Sequence, residues 1–178
     1  MSKFGLAFGC LGLSLFAGSH PALRVKNGVA NALFFITDDC PISNGYAPEI
    51  SRICSAYHTQ GINCTLVYVN PALSDEQVRS HALEFGLAAY PRVVDRNHEL
   101  VKATKVKNTP EAAVIAKNGR VVYRGRIDDS YAALGQPRRE VKNPDLRNAL
   151  DAIVARRRVT KPETKALGCY ISDLARHR

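Results

Sequence analysis

Two apolar segments separated by an amphipathic helix are the feature that most constrains the fold of this chain. Residues 30–37 and 62–69 are short, apolar and rich in β-branched or aromatic side chains, which predicts two buried strands. Between them, apolar residues recur at helical spacing from Tyr46 to Tyr57. Two strands joined by a helix run parallel in one sheet, so this half of the chain predicts an α/β fold.

Pro48 lies inside the helical pattern and leaves two alternatives open. Either the helix is kinked at Pro48, or its regular part begins near Asn44 and Pro48 occupies the first turn. Both alternatives place the start of the helix shortly after Cys40.

The second half of the chain predicts further helices and an antiparallel hairpin. Ser74-x-x-Gln77 is a capping box, and residues 98–106 predict a short helix. The strands predicted at 111–116 and 121–126 are joined through Asn-Gly, a strong hairpin signal. A last helix is expected to begin at Asn143-Pro144-Asp145. Parallel and antiparallel pairs together predict a central mixed sheet flanked by helices.

Length and charge limit the number of domains and the class of partner, but they do not identify a function. A chain of 178 residues fits one domain with a tail, and we assign residues 20–158 to the domain and 159–178 to a tail that carries Cys169. The net charge of +9 arises entirely in residues 92–178. That half lacks Lys/Arg motifs interleaved with aromatic residues, so a solvated basic surface is favoured and nucleic acid is not expected as a partner.

The N-terminus has the layout of a secretory signal. Lys3 precedes the uncharged segment Phe4–Gly18, and Ala17 and Ser19 are small residues at the −3 and −1 positions of a cleavage site. The alternative is a buried element of the fold. We expect residues 1–19 to be a signal peptide and the protein to be periplasmic or secreted, otherwise cytoplasmic. No membrane span is expected in the mature chain.

Cys40 is the first candidate for chemistry. It follows a buried strand and precedes a helix, where unpaired backbone N–H groups lower the pKa of a thiol. Asp38 and Asp39 oppose this effect, because negative charge disfavours a thiolate. A lone Cys-Pro pair is often an inert turn, but the strand–cysteine–helix order favours a reactive thiol.

Three segments resemble the thioredoxin-like superfamily, and within it the redoxin branch of peroxiredoxin-like and periplasmic thioredoxin-like proteins. They read Phe-Phe-Ile-Thr-Asp-Asp-Cys-Pro-Ile-Ser-Asn over 34–44, Asn-Thr-Pro-Glu-Ala-Ala-Val-Ile over 108–115, and Gly-Arg-Val-Val-Tyr-Arg-Gly-Arg-Ile-Asp-Asp over 119–129. The resemblance implies a thioredoxin-like fold, Cys40 as nucleophile, and a cis Pro110 in a loop that faces its sulfur. It also implies substrate-binding residues: Thr37, Pro41, Ser43, Thr109 and Pro110.

Two departures from the family patterns bear on the activity. The active-site turn reads Cys40-Pro-Ile-Ser43, so the second thiol of a Cys-x-x-Cys pair is replaced by a hydroxyl. Thr37-x-x-Cys40 matches the peroxiredoxin pattern, but Leu33 stands where that pattern has Pro, and the segment around Pro110 has no Arg. We therefore expect thiol–disulfide exchange, with peroxide turnover weak.

A second catalytic thiol has to come from elsewhere in the chain or from a partner. Gly168-Cys169 resembles a C-terminal motif of some redoxin-branch proteins, and Cys169 is the candidate resolving thiol; a free or purely structural cysteine is the alternative. Cys54 and Cys64 fall in a predicted helix and strand and are expected to be core residues.

Other chemistry finds little support in the sequence. His58, His81 and His98 are scattered, and Asp128-Asp129 is more typical of a turn or surface position than of a metal pair, so no metal and no cofactor are expected. The sequence predicts a thiol–disulfide oxidoreductase whose partners are protein thiols or disulfides, or a small thiol reductant. The alternatives are a non-catalytic binding module that recruits an acidic partner, and a weak thiol peroxidase.

Overall fold

The computed structural model describes residues 20–171, and the proposed signal peptide lies outside them. The elements of the main fold are β1 Ala30–Ile36, α1 Pro41–His58, β2 Ile62–Tyr68, α2 Asp75–Glu84, β3 Arg92–Val94, α3 Glu99–Thr104, β5 Glu111–Ala116, β6 Val121–Gly125 and α4 Asp145–Val154. Two small sheets are formed by β4 Asn108–Thr109 with β9 Cys169–Tyr170, and by β7 Tyr131–Ala133 with β8 Gln136–Pro137. A 3-10 turn, Pro21–Leu23, lies between residue 20 and β1.

The main sheet is mixed, as the sequence predicts. Its strand order is β3-β2-β1-β5-β6. β1 pairs in parallel with β2 and antiparallel with β5, and β5 forms a hairpin with β6. Gly119 takes a φ of 78° in the hairpin turn, a conformation that glycine adopts at little cost.

Both faces of the sheet are covered, which explains why β1 is buried along its whole length. Phe34 and Ile36 point into a cluster with Ile50 of α1 and Leu150 of α4. Leu33 and Phe35 pack on the other face with side chains of α3. No helix within residues 20–171 is long and apolar enough to cross a membrane.

The start of α1 resolves the two alternatives for Pro48. α1 begins at Pro41 and includes Pro48 in its interior, so the expectation that regular helix begins near Asn44 is wrong. Pro48 is exposed. A proline on the solvent side is tolerated, because water can hydrate the carbonyl that loses its intrahelical partner.

Asn143 does not cap α4 through its side chain, contrary to expectation. The N-cap residue is Pro144, without a side-chain hydrogen bond. The amide of Asn143 instead donates to Asp129 Oδ2 over 2.8 Å. Burial of Asp129, which is 4% exposed, selects this pairing because a buried carboxylate needs donors.

The described part of the C-terminal tail packs along the domain. Residue Arg124 of β6 exchanges backbone hydrogen bonds with the tail, donating to Pro162 O and accepting from Thr164 N. Further on, β9 pairs with β4, and Ile171 is 5% exposed. The tail therefore returns Cys169 to the end of β1 that carries Cys40.

Candidate active site

Cys40 occupies the junction between β1 and α1. It is the N-cap residue of an 18-residue helix, and Pro41 follows at the first helical position. The first N–H groups of a helix have no intrahelical partner, and together with the helix dipole they favour a negative charge at the N-cap. No side chain caps this end of α1. A Cys40 thiolate at this place would be stabilised by these free donors.

Cys40 and Cys169 are joined by a disulfide. Their Cα atoms lie 6.2 Å apart, within the range that a disulfide spans, although 129 positions separate them in sequence. The register of the small sheet places Cys169 opposite Thr109 and Tyr170 opposite Asn108. The expected pairing of the two cysteines is thus present in the structure.

The Thr109–Pro110 peptide bond is cis, as the resemblance implies. Cys40 Sγ lies 3.3 Å from the carbonyl oxygen of Thr109, so this loop faces the sulfur. Thr109 and Pro110 are both buried. The loop brings Thr109, Cys40 and Cys169 into direct contact.

The remaining expected site residues surround the disulfide in different ways. Thr37 Oγ1 lies 2.9 Å from Asp39 Oδ1 and 3.1 Å from Asp38 Oδ1. Pro41 is exposed, whereas Ser43 is 3% exposed. Within the described residues, Ser43 Oγ has no hydrogen-bond partner. A buried hydroxyl without a partner is costly, and here it lies three residues after Cys40 in the first turn of α1.

A cavity of about 330 Å³ opens beside the disulfide. Cys169 lines it and Cys40 does not; the other polar residues that line it include Thr37, Asp39, Asn70, His98 and Thr109. A larger cavity of about 820 Å³ lies between the β5–β6 turn and Arg156–Arg158. No cysteine lines that larger cavity, so the smaller one is the candidate site.

Glu111 supports the loop that carries Pro110, a role the sequence does not reveal. Its carboxylate accepts hydrogen bonds from the backbone N–H groups of Lys107 at 2.8 Å and Asn108 at 3.1 Å. Burial raises the pKa of Glu111, against the lowering effect of these hydrogen bonds. The carboxylate thereby fixes β4, the strand on which Cys169 is seated.

A chain of hydrogen bonds fixes the turn before Cys40. Tyr68 and Asn44 lie 2.9 Å from the two ring nitrogens of His81, and Asn44 Nδ2 donates to Asp38 O. Burial lowers the pKa of His81, although the charges of Asp38 and Glu84 oppose the shift. A neutral ring satisfies this chain when Nε2–H donates to Asn44 and Nδ1 accepts from Tyr68. A lone histidine in the sequence gives no signal for this role.

The sequence predicts a turn or a surface position for Asp128 and Asp129. Asp129 lies in a bend, but the surface position is wrong because both residues are buried. Tyr46 of α1 donates to Asp128 Oδ1 over 2.7 Å, and burial together with this carboxylate raises the pKa of Tyr46. Hydrogen bonds from Asn143 and Lys142 lower the pKa of Asp129 to about 2, outweighing the opposite effect of burial. The pair ties α1 to the segment before α4 and is structural.

Cys54 and Cys64 are free and buried, as expected for core residues. A hydrogen bond with Cys64 and burial both raise the pKa of Cys54. A thiol with a raised pKa is a poor nucleophile at neutral pH, so Cys54 is a weak candidate for the reactive thiol.

Comparisons with known proteins agree with this fold. The sequence model of the thioredoxin-like family matches residues 28–121. An uncharacterized conserved protein from Geobacillus kaustophilus has 29% identity and a TM-score of 0.70, over 83% of this chain and 78% of its own. A hypothetical protein from Sinorhizobium meliloti has 25% identity and a TM-score of 0.71, over 83% and 81% of the two chains.

No protein with a curated description matches the chain significantly. The family match covers more than half of the chain, from before β1 to the first residue of β6. The chain therefore belongs to the thioredoxin-like family, whose fold supports thiol–disulfide oxidoreductase chemistry in general.

Proposed function

We propose that the protein is a thiol–disulfide oxidoreductase whose redox-active pair is Cys40 and Cys169. The observation that carries the proposal is the position of this disulfide at the N-cap of α1, against the cis Thr109–Pro110 loop. When this disulfide is reduced, the Cys40 sulfur is left at a helix N-terminus, where a thiolate is stabilised.

In the proposed reaction, the Cys40 thiolate attacks one sulfur of a partner disulfide. A bond forms between Cys40 and that sulfur, and the partner's second sulfur leaves as a thiolate. The Cys169 thiolate then attacks Cys40 Sγ, which restores the 40–169 disulfide and releases the partner as a dithiol. Two electrons pass from the pair in this chain to the partner, and the reverse sequence oxidises a partner dithiol.

The residues around the pair have separate roles in this proposal. The free N–H groups of α1 and the unpartnered Ser43 hydroxyl stabilise the Cys40 thiolate. The Thr109–Pro110 loop positions the incoming backbone, and Thr37 and Pro41 border the approach to the sulfur. We expect the partner to be a protein thiol or disulfide, or a small thiol reductant.

Turnover of a fluorogenic peptide disulfide with dithiothreitol tests the proposal. We expect Cys40→Ser to abolish the catalysed rate. Reduced Cys169→Ser, freed of dithiothreitol before it meets the peptide, should retain the peptide as a mixed disulfide on Cys40. Cys54→Ser is the matched control and should retain the rate. A chain with no catalysed exchange, whose Cys40 alkylates no faster than a free cysteine, would instead be a binding module.

Hydrogen peroxide in the same assay separates exchange from peroxidase activity. Leu33 is fully buried in β1, and the segment around Pro110 supplies no arginine, so we expect weak turnover. A kcat/KM in the range of about 10⁴–10⁸ M⁻¹s⁻¹ would make the protein an efficient peroxidase and overturn this expectation.

We also propose export to the periplasm or outside the cell, where a disulfide persists. The support is the charge and residue pattern of residues 1–19. Intact-mass measurement of protein from the producing cell tests this proposal. A mature chain beginning at His20 is expected, and a mature cytoplasmic protein that retains Phe4–Gly18 would contradict it.

A further inference from the structure

Strand β9 is a short segment held by the edge of another strand rather than by the main sheet. It pairs antiparallel with β4, Cys169 opposite Thr109. Ile171 N donates to Lys107 O over 3.0 Å, extending the pairing by one residue. The edge of β4 thus binds an extended segment through backbone groups, a mode of recognition that any extended peptide can use.

Three residues of this segment are constrained by the groups that surround them. A Cβ on Gly168 would overlap the carbonyl group of Thr109, so only glycine fits at that position. Cys169 reaches Cys40, and Ile171 is buried in the apolar cluster that includes Val69 and Val106. Tyr170 is 64% exposed and is under no such constraint. The bound segment therefore has the pattern Gly-Cys-x-Ile.

The seated tail closes the site that the proposed function requires. Cys40 is 1% exposed, and its sulfur is bonded to Cys169 of β9. An extended segment of a partner can pair with β4 only after β9 has left that edge. The free edge of β4 then presents backbone hydrogen-bonding groups, the Cys40 thiolate and the apolar recess that Ile171 had filled.

We propose that β9 occupies the place of a partner's cysteine-bearing segment, and that the site selects extended Gly-Cys-x-aliphatic sequences. This inference rests on the proposed function and names its substrate class. In the selected reaction, the Cys40 thiolate attacks the cysteine sulfur of such a segment. The sulfur previously bonded to that cysteine leaves as a thiolate, so no other oxidant is required.

The test uses the full-length chain with Cys169→Ser and synthetic peptides based on residues 165–171, Lys-Ala-Leu-Gly-Cys-Tyr-Ile. The cysteine of each peptide is activated as a mixed disulfide with thionitrobenzoate, whose coloured thiolate reports attack by Cys40. Three further peptides replace Gly by Ala, Ile by Ser, or Tyr by Ala. Each reaction is repeated in concentrated urea to measure the intrinsic reactivity of the peptide.

We expect the Gly→Ala peptide to react at least about tenfold more slowly with the folded protein than the parent peptide, since this clash exceeds what a small side-chain adjustment relieves. The Ile→Ser peptide should also be slower, by about tenfold, because it leaves the apolar recess unfilled. The Tyr→Ala peptide should react within about twofold of the parent, because that side chain is exposed. In urea all four rates should agree.

The outcomes separate the inference from the proposed function. Equal rates for all four peptides with the folded protein would overturn the sequence preference and leave the oxidoreductase intact. Absence of any reaction at Cys40 with the folded protein would overturn both. If Cys169→Ser fails to fold, the reduced wild-type chain provides the same comparison. There Cys169 displaces the bound peptide and re-forms the 40–169 disulfide, and the order of the four rates should be unchanged.

Discussion

At the scale of single residues, reactivity is decided by what surrounds each sulfur. Cys40 lies at the N-cap of α1, where free N–H groups favour a thiolate, whereas Cys54 is buried and hydrogen-bonded to Cys64. We therefore expect a thiol to be reactive at the N-terminus of α1 and unreactive in its interior.

Iodoacetamide should distinguish these cysteines in the reduced, folded protein. We expect Cys40 to be modified at pH 7 at least about tenfold faster than Cys54 or Cys64. The N-cap of α1 favours its thiolate, and release of β9 on reduction exposes it, whereas Cys54 and Cys64 stay in the core and the pKa of Cys54 is raised. Quantitative mass spectrometry of the labelled peptides gives the rates. In urea the differences should largely vanish. Similar rates in the folded protein would contradict the proposed nucleophile.

Ser43→Ala tests whether the unpartnered hydroxyl acts on Cys40. A hydrogen bond to a charged group contributes about 1.5–3 kcal/mol, and only part of this reaches a rate at sulfur, so we expect Cys40 to alkylate about three- to tenfold more slowly at pH 7. The pH profile should also move to higher pH. Ser55→Ala, on the exposed face of α1, is the control. An unchanged profile would restrict Ser43 to a packing role.

At the scale of elements, two short segments hold the site: the turn before α1, and β9 on the edge of β4. The turn depends on the chain from Tyr68 through His81 to Asn44. The pairing of β9 depends on the close approach of Gly168 to Thr109. Each can be weakened by one substitution outside the reacting sulfurs.

Gly168→Ala should make the 40–169 disulfide easier to reduce. The added Cβ has to push β9 away from Thr109, and such overpacking typically costs about 1–3 kcal/mol, or about tenfold in the equilibrium constant with glutathione. Quantifying the reduced fraction across glutathione buffers measures the shift. Gly119→Ala is the control, because its Cβ meets open space and its effect falls on overall stability. An unchanged equilibrium in Gly168→Ala would mean that β9 adjusts freely.

His81 should make stability depend on pH. Because burial lowers the pKa of His81 in the folded chain, the unfolded chain takes up the proton first as the pH falls. The contribution is complete above the unfolded pKa of about 6.5 and is lost below it, with a slope of at most about 1.4 kcal/mol per pH unit. Urea unfolding between pH 5 and 7.5 should show a weaker slope for His81→Gln. Exposed His58→Gln should retain the wild-type slope. Equal slopes for all three proteins would contradict a neutral His81.

How far each element can be predicted from the sequence depends on its length and burial. β1 and β2 are long enough to show as apolar segments, and their predicted bounds agree with the structure to within one residue. α2 begins at Asp75, directly after the first residue of the predicted capping box. β3 has three half-buried residues, and β4 and β9 have two each, which is too short for any alternation. Strands this short form only beside a partner strand, and their own residues do not identify which strand that is.

The residues of the candidate site also differ in whether the sequence predicts them. Cys40 could be predicted from the segment that contains it, whereas the cis bond before Pro110 is implied only by the family resemblance. The contact of Gly168 with Thr109 and the burial of Ile171 depend on the return of the tail across the whole domain. Glu111 directly follows Pro110 in sequence. Its role is visible only in the structure, where its carboxylate accepts hydrogen bonds from two backbone N–H groups at the start of β4.

At the scale of the whole molecule, the disulfide connects the beginning of the domain to its end. It closes a loop across 129 positions, and the tail crosses β6 before it reaches β4. By linkage, whatever free energy the disulfide adds to folding, the fold adds to the disulfide. Each reduction of the pair therefore removes the free energy that the disulfide contributes to folding.

Reduction should lower the free energy of unfolding by about 2–5 kcal/mol, the range expected when a disulfide closes a loop of this length. Urea unfolding of the oxidised and reduced chains, with Cys169→Ser as a second reduced form, measures the difference. The same quantity follows independently from the glutathione equilibria of the 40–169 pair in the folded chain and in urea, because the four states form a closed cycle. Agreement of the two measurements is expected if only this bond changes. Equal stability of the oxidised and reduced chains would contradict the prediction and indicate that the tail stays seated without its bond. The Gly-Cys-x-aliphatic segment of a partner would then have to displace a fully bound strand, and we would expect the peptide reactions to be slow in proportion.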